Sequence, residues 1–530
     1  MNLRRGWLRA GAAATLSLLL LGGCGKREMP ASTAASAPGV AAVGEFSVLA
    51  GSELRDIEPL LQKAAQAAGV PLRLSYAGAL DIVERVNAGE RFDAILPASG
   101  AYPALALATK PLSREKLFYS RVALGVKAAK LKQLGWDTKA PTWGDIAQAA
   151  GAGKLHYAMT NPTSSNTGMS ALFAVASAVA GKTEDLAASE VDAGVLKAFL
   201  TGQKLTAGSS GWLAEAFIKA PAGLDAMVNY EAVILRSNDK LGPADKLAVV
   251  YPRDGVISAD YPLMLLNPEQ RAAYDKLVAA IKSPEVQREL AASAFLRPAL
   301  PDTPLAPGLS AAPMAELSFP NRLEVIDAVL AAYQGEWRRP ATSIFVLDVS
   351  GSMEGQRLQA MRSALKILAG TDASTASTRY ARFQSRERVL LMTFSDRVDE
   401  PVQVDFDPSA MDAARAKVNA YADALEAKGG TAIYGAIMRA QTEAIRERTR
   451  DPGRYVSIVL LTDGENTSGP DLNSLRQQAD GSTPTRVFPI LFGEAKPEDM
   501  ESLAQLTGGR IFDGRKAGLG QVFKEIRGYQ

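Results

Sequence analysis

Histidine and cysteine are nearly missing from this sequence: His156 and Cys24 are the only ones in 530 residues. Any Ser-His-Asp arrangement would have to recruit His156 from the strand-like setting KLHYAM, where a core or surface imidazole is the ordinary reading. A lone cysteine excludes a disulfide within the chain and a zinc site built on paired thiolates. No GxSxG turn, HExxH run or phosphate-binding P-loop occurs. The SxxK patterns at Ser113 with Lys116 and Ser363 with Lys366 lack companion SDN and KTG motifs. These absences point away from an enzyme. An excess of one charge is missing too, with 59 Lys+Arg against 57 Asp+Glu and a net charge of +2. No long single-sign run could track a phosphate backbone, so nucleic acid is not an expected partner.

Long apolar runs are equally scarce. The most apolar segment, Ala12 to Leu21, falls short of the roughly 20 residues a spanning helix needs. It follows Arg4, Arg5 and Arg9 and leads into LGGC at Cys24, the pattern of a secretory signal. LGGC resembles the lipobox of bacterial lipoproteins, which implies a signal peptide over 1–23, cleavage before Cys24 and a lipid anchor on that residue. The resemblance implies a periplasm-facing location in the bacterial cell envelope, and Gly25 in place of an aspartate favours the outer membrane. Residues 24–43, including MPASTAASAPGVAAV, are rich in alanine, serine and proline and read as a flexible tether.

What is present is an alternation of short apolar runs and amphipathic patterns. Over 44–300, FSVLA, FDAILPA and RVALGV alternate with ALDIVERVNAG and EQRAAYDKLVAAIKS, which predicts an α/β domain. Residues 301–340 begin with the proline-rich PDTPLAPGLSAAPMAELSFP, read as a semi-rigid linker with relative domain motion as its expectation. The segment ends in a helix over Arg322 to Trp337. Residues 341–530 alternate strand and helix again: a strand at Ser343 to Leu347, a helix from Gln356 to Ala369, a strand at Val389 to Phe394. Helices around Met411 to Leu425 and from Ala432 follow, then the strands SIVLL and RVFPILF. That order predicts a doubly wound, mainly parallel sheet. No internal repeat is visible.

The run FVLDVSGSMEG, Phe345 to Gly355, ends a strand in a cluster of oxygen atoms. Ligands of open parallel sheets bind beyond the carboxyl ends of the strands, where Asp348, Ser350 and Ser352 are expected. One carboxylate and two hydroxyls are hard donors suited to Mg²⁺, with Mn²⁺ or Ca²⁺ as alternatives, and unsuited to a soft metal. Thr431 in KGGTAIYG and Asp463 in VLLTDGEN supply further oxygens after apolar segments. The competing reading is that Asp348, Ser350 and Ser352 cap the following helix. DVSGS, a threonine opening a helix, and TDG resemble, in that order, the von Willebrand factor A domain and its metal-ion-dependent adhesion site. The resemblance implies that Asp348, Ser350, Ser352, Thr431 and Asp463 hold a divalent cation, directly or through water. It also implies that a protein partner offers an acidic side chain to the cation. Glu465 and Ser395 read as solvated surface.

Between Glu45 and Pro298, SVLAGSELRDIEPLL, YAGALDIVERVNAGERFDAILPAS, TNPTSSNTGMSALFAVA, GLDAMVNYEAVIL and AFLRPA resemble two-lobed periplasmic solute-binding proteins, in particular the branch containing molybdate binders. Ser52, Ala79, Ser164, Ser165, Asn166 and Thr167 stand in loops that lead into helices, where free N–H groups and hydroxyls favour a small solute or oxyanion. Tyr230 occupies a loop where the family supplies a tyrosine. Glu231 beside it is expected to repel an anion, and a vestigial cleft remains the alternative. Together the two resemblances imply a lipid-anchored receptor that binds a protein or surface ligand through a cation. The alternative is the solute receptor of an ABC-type transporter, with the C-terminal domain as a docking or regulatory module.

Overall fold

The computed structural model describes residues 44–371, 374–479, 484–517 and 519–529. The expected signal peptide, Cys24 and the whole of the tether lie outside the described residues. Among them, no helix is long and apolar enough to cross a membrane.

The N-terminal half builds two sheets. In the first, Phe46–Gly51 pairs in parallel with Leu72–Ala77 and with Ala94–Leu96. Pro262–Leu265 then adds antiparallel to Ala94–Leu96, and Ser113–Lys116 antiparallel to Pro262–Leu265. The strand FSVLAG is buried at every position, as expected where helices cover both faces of parallel strands. The second sheet is built on the long strand Phe118–Lys127, antiparallel to Ala226–Tyr230. Tyr157–Thr160 runs parallel to Ala226–Tyr230 and to Gln203–Ala207. The chain passes between the sheets at Leu117 and again between Ala259 and Pro262, so each sheet is the centre of one lobe. Parallel strands of both lobes end at loops that line a common cleft.

The C-terminal half is a sheet in the order Val402–Phe406, Glu387–Phe394, Ala341–Asp348, Tyr455–Thr462, Val487–Leu491, Phe512–Asp513. Every pairing is parallel except that of the edge strand Val402–Phe406. The central strand ATSIFVLD is buried throughout. Phe345 and Leu347 join one apolar layer, and Ile344 and Val346 join another on the opposite face. The helix Gln356–Ala369 buries Leu358, Met361, Leu365 and Leu368, as their spacing predicts.

The proline-rich segment departs from the expectation of a spacer between moving domains. Glu316 accepts from Ser258 N at 2.6 Å and Ser258 Oγ at 2.9 Å, and Ser318 N donates to Thr183 O at 2.8 Å. Leu317 is buried, and the Phe319 ring meets Phe173 edge-on at 5.2 Å. Apolar residues scattered among the prolines thus anchor the strap to the N-terminal domain. The helix Leu323–Ala332 and a wider turn to Trp337 follow. The described residues from Gly44 onward form one compact unit, and a single apolar cluster runs from Phe46 to Tyr529.

Candidate metal centre and solute cleft

Asp348 is the last residue of its strand, and Asp463 follows the neighbouring strand directly, so adjacent parallel strands deliver both carboxylates to one edge. Asp348 Oδ1 accepts from Ser350 N at 2.8 Å and Oδ2 from Thr462 Oγ1 at 2.6 Å. Ser350 Oγ lies 3.0 Å from Ser352 Oγ, and Ser352 Oγ donates to Asp463 Oδ1 at 2.8 Å. Gly464 fits between the Ser352 and Thr431 hydroxyls, where an added Cβ would stand 3.8 Å and 3.9 Å from them. The Thr431 loop is pinned by Gly351 N to Gly429 O at 3.0 Å, Ala432 N to Ser395 O at 2.9 Å and Thr467 N to Thr431 O at 2.8 Å. The structure therefore brings Asp348, Ser350, Ser352, Thr431 and Asp463 to one place.

These oxygens do not cap the helix. Its N-cap is Gly355, at φ +82°, and Ser350 makes no side-chain cap to the short turn Gly351–Met353. Asp348 is fully buried, and burial pushes its carboxyl above the usual aspartate range; bonds from Ser350 and Thr462 oppose this, and the Asp463 charge adds to it. Buried carboxylates call for positive charge nearby. Arg357 supplies one, donating from Nη1 to Asp463 Oδ2 at 2.5 Å. Among the described residues no group of three or more His, Cys, Asp or Glu side chains gathers into a metal site, so the donors here are two carboxylates and three hydroxyls. That set fits a hard divalent cation.

In the cleft between the lobes, Ser52, Ala79, Ser165, Asn166 and Tyr230 line one small cavity together with Gly51, Glu53, Gly78, Ser209 and Ser210. Asn166 Nδ2 donates to the Tyr230 hydroxyl at 2.9 Å. Thr167 stands behind this wall, with its hydroxyl bonded to Ser165 at 3.2 Å and to Ser210. Ser164 turns away, bonding to Gly208 O at 3.1 Å and lining an adjoining cavity of about 80 Å³. The repulsion expected from Glu231 does not arise. Arg297 grips it with two bonds at 2.6 Å and 2.9 Å, and Tyr251 and Arg121 N complete its partners. Glu231 is a paired structural acid.

The adjoining cavity is roofed by the C-terminal helix Leu519–Arg527. Asn161 Nδ2 donates to Arg527 O at 3.4 Å, and Gln521 Nε2 to Asp81 Oδ1 at 3.2 Å. Gly528 touches Gly208 so closely that a Cβ would collide with its backbone. The Arg510 guanidinium lies 3.3 Å over the Trp212 ring, which also stacks on Tyr529 at 6.2 Å.

A family model described as bacterial extracellular solute-binding protein matches residues 47–296, and one described as von Willebrand factor type A domain matches residues 344–525. This chain joins a bacterial solute-binding domain to a von Willebrand factor A domain. Inter-alpha-trypsin inhibitor heavy chain H4 of Sus scrofa is 32% identical over 187 residues, covering 33% of this chain and 18% of that protein. An uncharacterised protein of Mycobacterium tuberculosis is 30% identical over 136 residues, covering 26% and 19%. The chain spans under a fifth of the length of these curated relatives. Among solved structures, a ferric binding protein from Campylobacter jejuni aligns at 14% identity and a TM-score of 0.41, over 54% of this chain and 96% of that one. A von Willebrand factor type A protein from Catenulispora acidiphila aligns at 20% identity and 0.29, over 36% and 42%.

Sequence reasoning missed Arg357 and Thr462 in the von Willebrand factor A domain and Glu53, Ser209 and Ser210 in the solute-binding domain. Thr462 was legible in principle, because it precedes Asp463 at the end of a buried strand. Arg357 and Glu53 carried no such signal, since an arginine or glutamate early in a helix ordinarily faces water. Asp396, exposed, lies against Gly429 and Gly430, where any Cβ would clash with its carboxylate. Glu465 is exposed and pairs with Lys496 at 2.9 Å. His156 sits at the edge of its strand, with its backbone N–H bonded to Asp225 at 2.8 Å.

Proposed function

We propose that this protein is a non-enzymatic, lipid-anchored receptor of the bacterial cell envelope whose von Willebrand factor A domain binds a protein or surface ligand through a divalent cation. Asp348, Ser350, Ser352, Thr431 and Asp463 would hold the cation, with Mg²⁺ the best fit to hard oxygens. Bound there, it would supply a Lewis-acidic position for an acidic side chain of the partner. The chain Ser350–Ser352–Asp463, closed at 3.0 Å and 2.8 Å beside buried Asp348, carries this reading. The solute-binding match supports a periplasmic or extracellular location, and LGGC at Cys24 supports the anchor. The transporter-receptor reading is the weaker one, because the C-terminal helix covers the approach past Ser164 and Gly208.

The first experiment is thermal melting of the full chain with Mg²⁺, Mn²⁺, Ca²⁺ or EDTA, in wild type and Asp463→Ala. A cation at about 100 times its Kd stabilises the folded state by about 2.7 kcal/mol. We expect a rise in melting temperature that the variant abolishes. No rise with any cation removes the cation from the reading and leaves the solute-binding domain as the guide to function.

A further inference from the structure

The cleft of the solute-binding domain already contains a charge-bearing group. Glu53 is 5% exposed and folds back over the end of its own strand, where a Cβ on Gly51 would stand 2.6 Å from Oε1. Its carboxylate lines the same cavity as Ser52, Ser165, Asn166, Ser209, Ser210 and Tyr230. Glu53 Oε1 and Ser209 Oγ are both buried without a hydrogen-bond partner. The helices Ala79–Asn87, Asn166–Val179 and Ser210–Lys219 begin at this cavity, and Gly78, Ser165 and Ser209 make no side-chain cap. Helix starts with free N–H groups attract anions. About 10 Å³ remains open there, roughly the room for one water.

We propose that the Glu53 carboxylate is the resident anion of this cleft, lying where a small oxyanion would sit and excluding such solutes from the domain. A second anion would lack the space to enter at any pH, and once Glu53 is ionised it would also meet like charge in a dry site. The charged and titratable groups around Glu53 are Arg236, Asp56, Tyr261 and Tyr230. Arg236 and the Tyr261 hydroxyl both favour the charged form of Glu53, but Arg236 is shared with Asp56 at 3.6 Å and with Ala294 O at 2.7 Å, and burial outweighs them. Burial accordingly pushes its carboxyl up to about 7. The domain thus carries the architecture of an anion receptor with an internal occupant, independent of the cation site of the other domain.

The test is calorimetric titration of the full chain at a pH well above 7, where Glu53 is ionised, with sulfate, phosphate and molybdate, in wild type, Glu53→Ala and Glu53→Ser. Removing the side chain frees both the space and the charge. At least one oxyanion should bind Glu53→Ala at least about tenfold more tightly than wild type, the ratio that 1.4 kcal/mol of like-charge repulsion represents. Equal affinity in both overturns the proposal, as does absence of binding in both, which would mean that the cavity does not take oxyanions. Should the alanine variant fail to fold, Glu53→Ser, which also frees the space and the charge, takes its place: sulfate binding tighter than wild type supports the proposal, and equal binding overturns it.

Discussion

Replacing Glu387 by glutamine should loosen the protein at the point where its two domains are tied. Glu387 Oε1 accepts from both Arg338, at the end of the linker segment, and Arg527, at the end of the C-terminal helix. The side chains are 1%, 10% and 5% exposed, so solvent screens this triad little. Arg527 also donates to Ala381 O at 3.0 Å, and its own carbonyl accepts from Asn161 in the solute-binding domain. Glu387→Gln leaves two buried guanidinium groups facing each other over a neutral amide. Breaking a buried ion pair by removing one partner costs about 3–5 kcal/mol. Urea unfolding of the full chain should register that loss, and with the C-terminal helix released, the single transition should begin to split. The acid side provides a check of sign. Burial works to raise the Glu387 pKa, but Arg527 and Arg338 outweigh it and hold the carboxyl below its ordinary value of 4.5. Its stabilisation is therefore complete above that value and is lost as pH falls through the folded pKa, so wild type and variant should converge in acid. A loss under about 1 kcal/mol at neutral pH, the scale of an exposed pair, would refute the reasoning.

The Arg357 guanidinium, bonded to Asp463, would compete with a cation held there as proposed, and unit charges about 4 Å apart interact by about 4 kcal/mol near a protein surface. Arg357→Ala should therefore raise Mg²⁺ affinity by about tenfold or more in a calorimetric titration; a fall in affinity would make Arg357 a residue that orients Asp463 instead. Trp212 holds Arg510 and Tyr529 against the solute-binding domain, contacts that contribute about 1–3 kcal/mol together. Trp212→Ala should lower stability by that amount and expose the C-terminal helix to limited proteolysis, and an unchanged digestion pattern would show that the docking rests on other contacts.

Local pattern was enough for much of the C-terminal domain. The helix Gln356–Ala369 follows from the spacing of four apolar residues, and its observed limits match the expected ones. The strand ending at Asp348 follows from an apolar run, because a strand buried on both faces cannot alternate with polar residues. The antiparallel edge strand Val402–Phe406 escaped notice, since VQVDF is short and half exposed. In the solute-binding domain Ser52, Ala79, Ser165, Asn166 and Tyr230 line the cleft and the Thr167 hydroxyl bonds to Ser165 and Ser210 of its wall, whereas Ser164 turns to the adjoining cavity. A loop can be placed from sequence, whereas the direction of each hydroxyl depends on which loop comes to lie opposite.

By itself, the sequence determined the alternation of strands and helices, the presence of two α/β domains and the position of hard oxygens at a strand end. These depend on periodicity and spacing within a few residues. Only the tertiary structure decided that Arg357 neutralises Asp463, that Arg297 claims Glu231, that Glu53 fills the cleft and that the proline-rich strap packs down. Those outcomes depend on residues far apart in the chain meeting in a dry interior, where a buried charge must find a partner or shift its proton. The choice of partner is written in the packing of whole elements and in no single segment.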